Sequence, residues 1–112
     1  MPSKYWKQAE KDALDELCAA GLRAYLVPGS GSGPIRKGDI KSGDLLLEQK
    51  STNKKSFSVS IDMLKKIEQQ AHYQGRNGIL RVTFVNEESF YVIPSWLFVE
   101  WLSILAKEGH VR

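Results

Sequence analysis

The stretch Gly38-Asp39-Ile40-Lys41-Ser42-Gly43-Asp44-Leu45-Leu46-Leu47-Glu48-Gln49-Lys50-Ser51 decides how the rest of the chain is read. Two short runs, Gly38-Asp39-Ile40 and Leu45 to Ser51, read as strands joined around Ser42-Gly43, a pair suited to a hairpin turn. Alternate residues of a strand share a face, so Asp44, Leu46, Glu48 and Lys50 point one way and Leu45, Leu47 and Gln49 the other. With Ser42-Gly43 as a two-residue turn, Lys41 pairs with Asp44, Ile40 with Leu45 and Asp39 with Leu46. Asp39 then stands diagonally from Glu48, about 7–8 Å between backbones, a span two carboxylates can close around one cation. Asp44 lies about 13 Å along the strand from Glu48, too far to share an ion, and closes the turn instead.

Two carboxylates and Lys50 on one half-buried face stay ionised only with hydrogen bonds or a metal to hold them. A hard divalent cation, Mg²⁺ with Mn²⁺ as its substitute, takes oxygen ligands and keeps waters for chemistry. Such an ion polarises a phosphoryl oxygen and lowers the pKa of a bound water, while Lys50 orients that water or balances charge in the transition state. The plainer alternative is a surface strand carrying an acid–lysine pair.

Working upstream, residues 4–20 read as a helix ended by Gly21, with Trp6, Ala9, Ala13, Leu14 and Leu17 as its apolar face. At 100° per residue Glu10 falls inside that arc, whereas Asp12, Asp15 and Glu16 fall outside it. Glu10 is therefore a further carboxylate near the metal site, or else a rim residue or the partner of a lysine at the core's edge. Leu22 to Val27 reads as a strand, and Pro28-Gly29-Ser30-Gly31-Ser32-Gly33-Pro34 as a loop. That loop lacks the Gly-Lys-Ser/Thr end of a P-loop and the third glycine of a dinucleotide fingerprint, so no nucleotide cofactor is expected.

Downstream, Ser60 caps a helix from Ile61 to Gln74 whose buried side is Leu64, Ile67 and Ala71. Asn77-Gly78 turns the chain into a strand from Ile79 to Val85, Phe90 to Ile93 forms another, and Ser95 to Lys107 a last helix. That last helix is apolar nearly all round, so it buries one face at home and the other against a second copy, or it is tucked between the sheet and the first helix. The order α-β-β-β-α-β, with an added C-terminal strand and helix, predicts an α/β protein with a mixed central sheet flanked by helices.

The 112 residues, 42% hydrophobic and 26% charged, suit a single domain spanning 1–112 rather than a disordered tail. The most apolar stretch is too short and too interrupted to span a bilayer, and no membrane partner is expected. One cysteine, Cys18, forms no internal disulfide and reads as a packing residue, which with the charged N-terminus suggests a reducing cytoplasm, the host's if a phage encodes the chain. Between 36 and 66 eight basic side chains face four acidic ones, leaving +4 there and −1 elsewhere. That segment is either an electrostatic footprint for a phosphate backbone or a solvated lysine-rich surface.

Glu10, the Gly29-Ser30 loop, Gly38-Asp39-Ile40 and Glu48-Gln49-Lys50-Ser51-Thr52, in this order of elements, resemble the PD-(D/E)xK nuclease superfamily, and more narrowly the archaeal and phage Holliday junction resolvases. The resemblance covers roughly residues 7 to 85 and implies a restriction-endonuclease-like fold. It implies that Asp39 and Glu48 are metal ligands helped by the backbone carbonyl of Gln49, that Lys50 is the catalytic lysine, and that Glu10 is the helix-borne acid. Ser30 becomes the loop serine near the scissile phosphate. The implied activity is Mg²⁺-dependent phosphodiester cleavage by a homodimer on four-way DNA junctions, with Lys54, Lys55, Lys65 and Lys66 contacting the DNA backbone. The proline often found before the first acid is Gly38 here. Where archaeal relatives carry a basic residue near the end of the first strand this chain has Leu26-Val27-Pro28, leaving Arg36 or Lys37 to serve. Two rivals stand beside this expectation: a repair, restriction-like or homing endonuclease on duplex DNA, and a non-catalytic nucleic-acid-binding module.

Overall fold

A computed structural model describes residues 3–27 and 38–111. Ser30, Arg36 and Lys37 lie outside the described residues. The elements are α1 (Ser3–Ala19), β1 (Tyr25–Leu26), β2 (Gly38–Ser42), β3 (Leu45–Thr52), α2 (Ile61–Tyr73), β4 (Asn77–Phe84), β5 (Ser89–Val92) and α3 (Ser95–Lys107). The strands form one sheet in chain order, β1 to β5. Only β3 and β4 run parallel; the other neighbours are antiparallel. A parallel pair needs a crossover, and α2 supplies it.

The first strand shrinks from the expected six residues to Tyr25–Leu26, which pair with Lys41 and Ile40 of β2, the following Val27 N–H donating to the Asp39 carbonyl at 2.9 Å. At Asn77 the expected turn is the start of β4: Asn77 already faces Leu45, and its N–H donates to the Asp44 carbonyl at 2.6 Å. Ser60 caps α2 as expected, its hydroxyl accepting from the Met63 N–H at 3.1 Å.

The period-two alternation sends the sheet's side chains into two cores. On one face Ala13 of α1 and Leu97 of α3 pack with Ile40, Leu47 and Ile79. On the other, Ile67 of α2 packs with Leu80 and Val82. Leu97 is the one fully buried residue of α3, whereas Trp96, Phe98, Val99, Ile104 and Leu105 are exposed. The helix is thus not tucked between the sheet and α1, and much of its apolar surface faces outward. Cys18, expected to pack, is also exposed. Among the described residues no helix is long and apolar enough to cross a membrane.

The seat of α2 depends on Gly78. A Cβ built there would stand 2.8 Å from the Ile67 carbonyl oxygen and 2.9 Å from Ile67 Cγ2, so the helix backbone itself must give way. Gly78→Ala should therefore cost about 1–3 kcal/mol, read as a lower urea midpoint with an unchanged slope.

Candidate active site

The hairpin that carries the acids folds one step away from its expected register. Ser42 pairs with Leu45, so the turn is Gly43-Asp44 rather than Ser42-Gly43. The reason is local. Gly43 adopts φ 55°, the left-handed conformation that glycine reaches without strain, at the first position of a two-residue turn. The Gly43 carbonyl accepts from the Arg76 guanidinium and the Asp44 carbonyl from the Asn77 N–H, which tie the turn to the α2–β4 connection.

The shift moves Asp39 from a diagonal position to one directly opposite Glu48. Cβ atoms so paired lie about 4.5–5.5 Å apart, against about 7–8 Å for a diagonal pair. Glu48 is 8% exposed although it sits on a strand face, and the Oδ1 atom of Asp39 is out of contact with solvent. Lys50 follows Glu48 on the same face and is half-buried. Two carboxylates facing each other away from water repel unless positive charge lies between or beside them.

The same register brings in a residue the sequence reading left at the turn. Lys41 faces Leu46 and not Asp44, so it shares the face of Asp39, two residues along β2 and diagonal to Glu48. Tyr25 is its partner on β1. Gly43 carried half of the signal: glycine at the first turn position gives the observed pairing, but at the second it gives the rival one.

Glu10 is 7% exposed, as its place in the helical arc predicts. Helix α1 packs on the Leu47 face of the sheet, while Asp39 and Glu48 alternate onto the Leu80 face. Among the described residues no three His, Cys, Asp or Glu side chains group to hold a metal ion. Two carboxylates with a neighbouring backbone carbonyl still suit Mg²⁺, which is often held by one or two carboxylates, substrate phosphates and retained waters. Lys54, Lys55, Lys65 and Lys66 are all exposed, the first two in the loop after β3 and the others on α2.

Behind the acids lies a buried polar cluster that sequence reasoning missed. Arg81 on β4 is 3% exposed. Its Nη1 donates to Gln49 Oε1 at 2.8 Å and Thr83 Oγ1 at 3.1 Å, and its Nε to Glu16 Oε2 at 3.2 Å. The Gln49 amide in turn donates to the Lys50 carbonyl at 2.6 Å and to Thr83 Oγ1 at 2.9 Å. The side chain between Glu48 and Lys50 is therefore clamped from the opposite face, fixing the backbone from which both project. An isolated Gln and an isolated Arg, each inside an apolar strand, were the visible signal: two such residues on adjacent strands satisfy each other.

Glu16 completes the cluster, accepting also from the Tyr91 hydroxyl at 2.5 Å. Burial, reinforced by that hydrogen bond to Glu16, pushes the Tyr91 phenol up to about 12 from 10.0, against the opposing pull of Arg81. A raised pKa means the folded state holds its proton more tightly, so this stabilisation is complete below pH 10 and is lost as pH rises towards 12. Urea unfolding at pH 9 and pH 11.5 should show a larger drop for the wild type than for Tyr91→Phe.

No family model matches the chain, and no curated protein matches it. Among solved structures it is similar to Hjc of Archaeoglobus fulgidus, a Holliday junction resolvase from an archaeal hyperthermophile, with a TM-score of 0.61 and 24% sequence identity. The match covers 78% of this chain and 75% of that one. The fold is thus the expected mixed sheet flanked by helices, of the restriction-endonuclease-like kind.

Proposed function

We propose that the chain is a divalent-metal-dependent endonuclease that hydrolyses DNA phosphodiester bonds, with four-way junctions as its substrate. The observation that carries this reading is the direct pairing of Asp39 with Glu48, with Lys50 and Lys41 on the same face. Asp39 and Glu48, with the Gln49 carbonyl, are the residues that would hold Mg²⁺. When bound, the ion supplies a polarised phosphoryl oxygen and a water acidic enough to attack at neutral pH. The chain's own groups do the rest: Lys50 neutralises charge building on the phosphate, Lys41 positions the phosphate from the other side of the acids, and the Gln49–Arg81 clamp holds β3 rigid.

Lys54, Lys55, Lys65 and Lys66 supply sequence-independent contacts to the phosphate backbone. Glu10, Ser30, Arg36 and Lys37 are assigned supporting roles by the resemblance to resolvases. A single domain spans the chain, and the exposed apolar side of α3 supports a homodimer. Val99, 58% exposed, is a direct probe of it: Val99→Glu should convert a dimer to a monomer in sedimentation while leaving the circular dichroism spectrum unchanged.

The deciding experiment compares four-way junction, linear duplex, flap and single strand in Mg²⁺, Mn²⁺ and chelator. Metal-dependent paired nicks confined to the junction are expected. Cleavage of linear duplex at the same rate moves the substrate to duplex DNA. Tight, salt-sensitive binding without any metal-dependent product overturns the enzyme reading.

A further inference from the structure

We propose a second nucleic-acid site, a subsite for one unstacked nucleotide, at the end of the sheet where β3 and β4 finish. A groove of ≈ 670 Å³ opens there, lined by Lys54 and Lys55 of the loop after β3, Glu87 and Glu88 of the β4–β5 turn, and Phe84 and Phe90 on β4 and β5. Its size falls within the range of small-ligand sites.

Three features point to a nucleotide. Phe90 is 53% exposed although it lies on a strand, and Phe84 supports it edge-on, with ring centroids 6.2 Å apart at 80°. An edge-on neighbour leaves the other face of Phe90 available as a flat platform, the surface on which bases stack regardless of sequence. Second, the groove's charge is divided by side. Among the described residues no ion pair joins either lysine to either glutamate. The lysine side attracts a phosphate, the glutamate side repels one, and carboxylates accept from the exocyclic amino groups of bases. A nucleotide therefore has one favoured orientation, backbone along Lys54 and Lys55, base across Phe90, amino edge towards Glu87 and Glu88.

Third, the walls are built rather than floppy. The Val85–Glu88 turn is closed by the Phe84 N–H donating to the Glu88 carbonyl at 3.1 Å and the Glu87 N–H to the Phe84 carbonyl at 2.9 Å. On the other wall Thr52 anchors both strands, its carbonyl accepting from the Val85 N–H at 2.9 Å and its hydroxyl from the Lys54 N–H at 3.1 Å.

The groove is in register with the candidate active site. Phe90 pairs with Val82, and Val82 with Lys50, so Phe90 and Lys50 share a face and a row two strands apart, about 10 Å. The nucleotide it takes is one near the cut, in a strand no longer stacked in a helix. DNA as the ligand rests on the proposed function, but the test reads binding and not cleavage, so the two fail separately.

The probes are oligo(dC) and oligo(dT) twelve nucleotides long, a blunt duplex, and a four-way junction carrying 2-aminopurine beside the branch, all with chelator present to block cleavage. Phe90→Ala should weaken oligo(dC) and junction binding by roughly tenfold and abolish 2-aminopurine quenching, with duplex affinity unchanged and Phe90→Trp restoring both signals. Lys54→Gln with Lys55→Gln should lower the salt slope of oligonucleotide binding by about 2. Oligo(dC) should bind more tightly than oligo(dT), and Glu87→Ala with Glu88→Ala should erase the difference. Equal loss on duplex and single strand, or no loss with Phe90→Ala, overturns the subsite. If the junction is cut normally but Phe90→Ala binds like wild type, the subsite fails while the endonuclease reading stands. If nothing is cut but the Phe90 signals appear, the reverse holds.

Discussion

Glu48→Gln should lower junction cleavage on the order of 10³-fold in single-turnover assays while leaving junction affinity in chelator at least as high as in wild type. Glutamine keeps the shape and one carbonyl acceptor but removes the charge that faces Asp39 across the β2–β3 ladder. In chelator the same variant should be more stable than wild type, by about 0.2–1 kcal/mol, since like charges directly opposite on a sheet oppose pairing. Manganese should raise the melting temperature of the wild type and not that of Glu48→Gln, because binding to the folded state alone stabilises by mass action. A group kept for structure loses stability when altered; one kept for chemistry loses activity and gains stability. Cleavage by Glu48→Gln at the wild-type rate would remove Glu48 from the site.

Arg81→Met should have the largest effect on folding, about 2–3 kcal/mol in urea unfolding. Methionine matches much of the volume but donates nothing, so Gln49 Oε1 loses its 2.8 Å donor in a place water does not reach. Glu16 adds less than a buried counter-ion would, since its side chain is half-exposed and screened. Arg81→Lys should not restore stability, because a single ammonium cannot reach Gln49, Thr83 and Glu16 from one stem as the planar guanidinium does. Full recovery with lysine would show that charge alone matters there and that the forked geometry does not.

How much was legible in the sequence follows from which interactions are local. The bounds of α3 and the cap of α2 are set by neighbours within a few residues, and both were readable. Glu10 was also readable as buried, since helical periodicity alone turns it inward. The hairpin register was not, because Ser42-Gly43 and Gly43-Asp44 both make acceptable turns. Gly43 suits the second, and Arg76 and Asn77, which reach the turn from the far end of α2, tie it in place. The Arg81 cluster joins residues as far apart as Glu16 and Tyr91 and has no local signature. The apolar outer side of α3 was visible as composition, but which side stays outward depends on the position of Leu97 over the sheet.

The two facing acids stand on backbones of unequal stiffness. β3 is laddered to β4 from Leu45 to Thr52 and to β2 from Leu45 to Gln49, whereas among the described residues the outer edge of β2 is held over Asp39 to Lys41 alone, by the β1 pairs at Ile40 and Lys41 and the Val27 N–H donating to the Asp39 carbonyl at 2.9 Å. Amide hydrogens of β2 should consequently exchange with deuterium sooner than those of β3. An ion held between Asp39 and Glu48 would then act as a rivet through the loose flank into the stiff rib, and its arrival would be recorded as slowed exchange along residues 38–42.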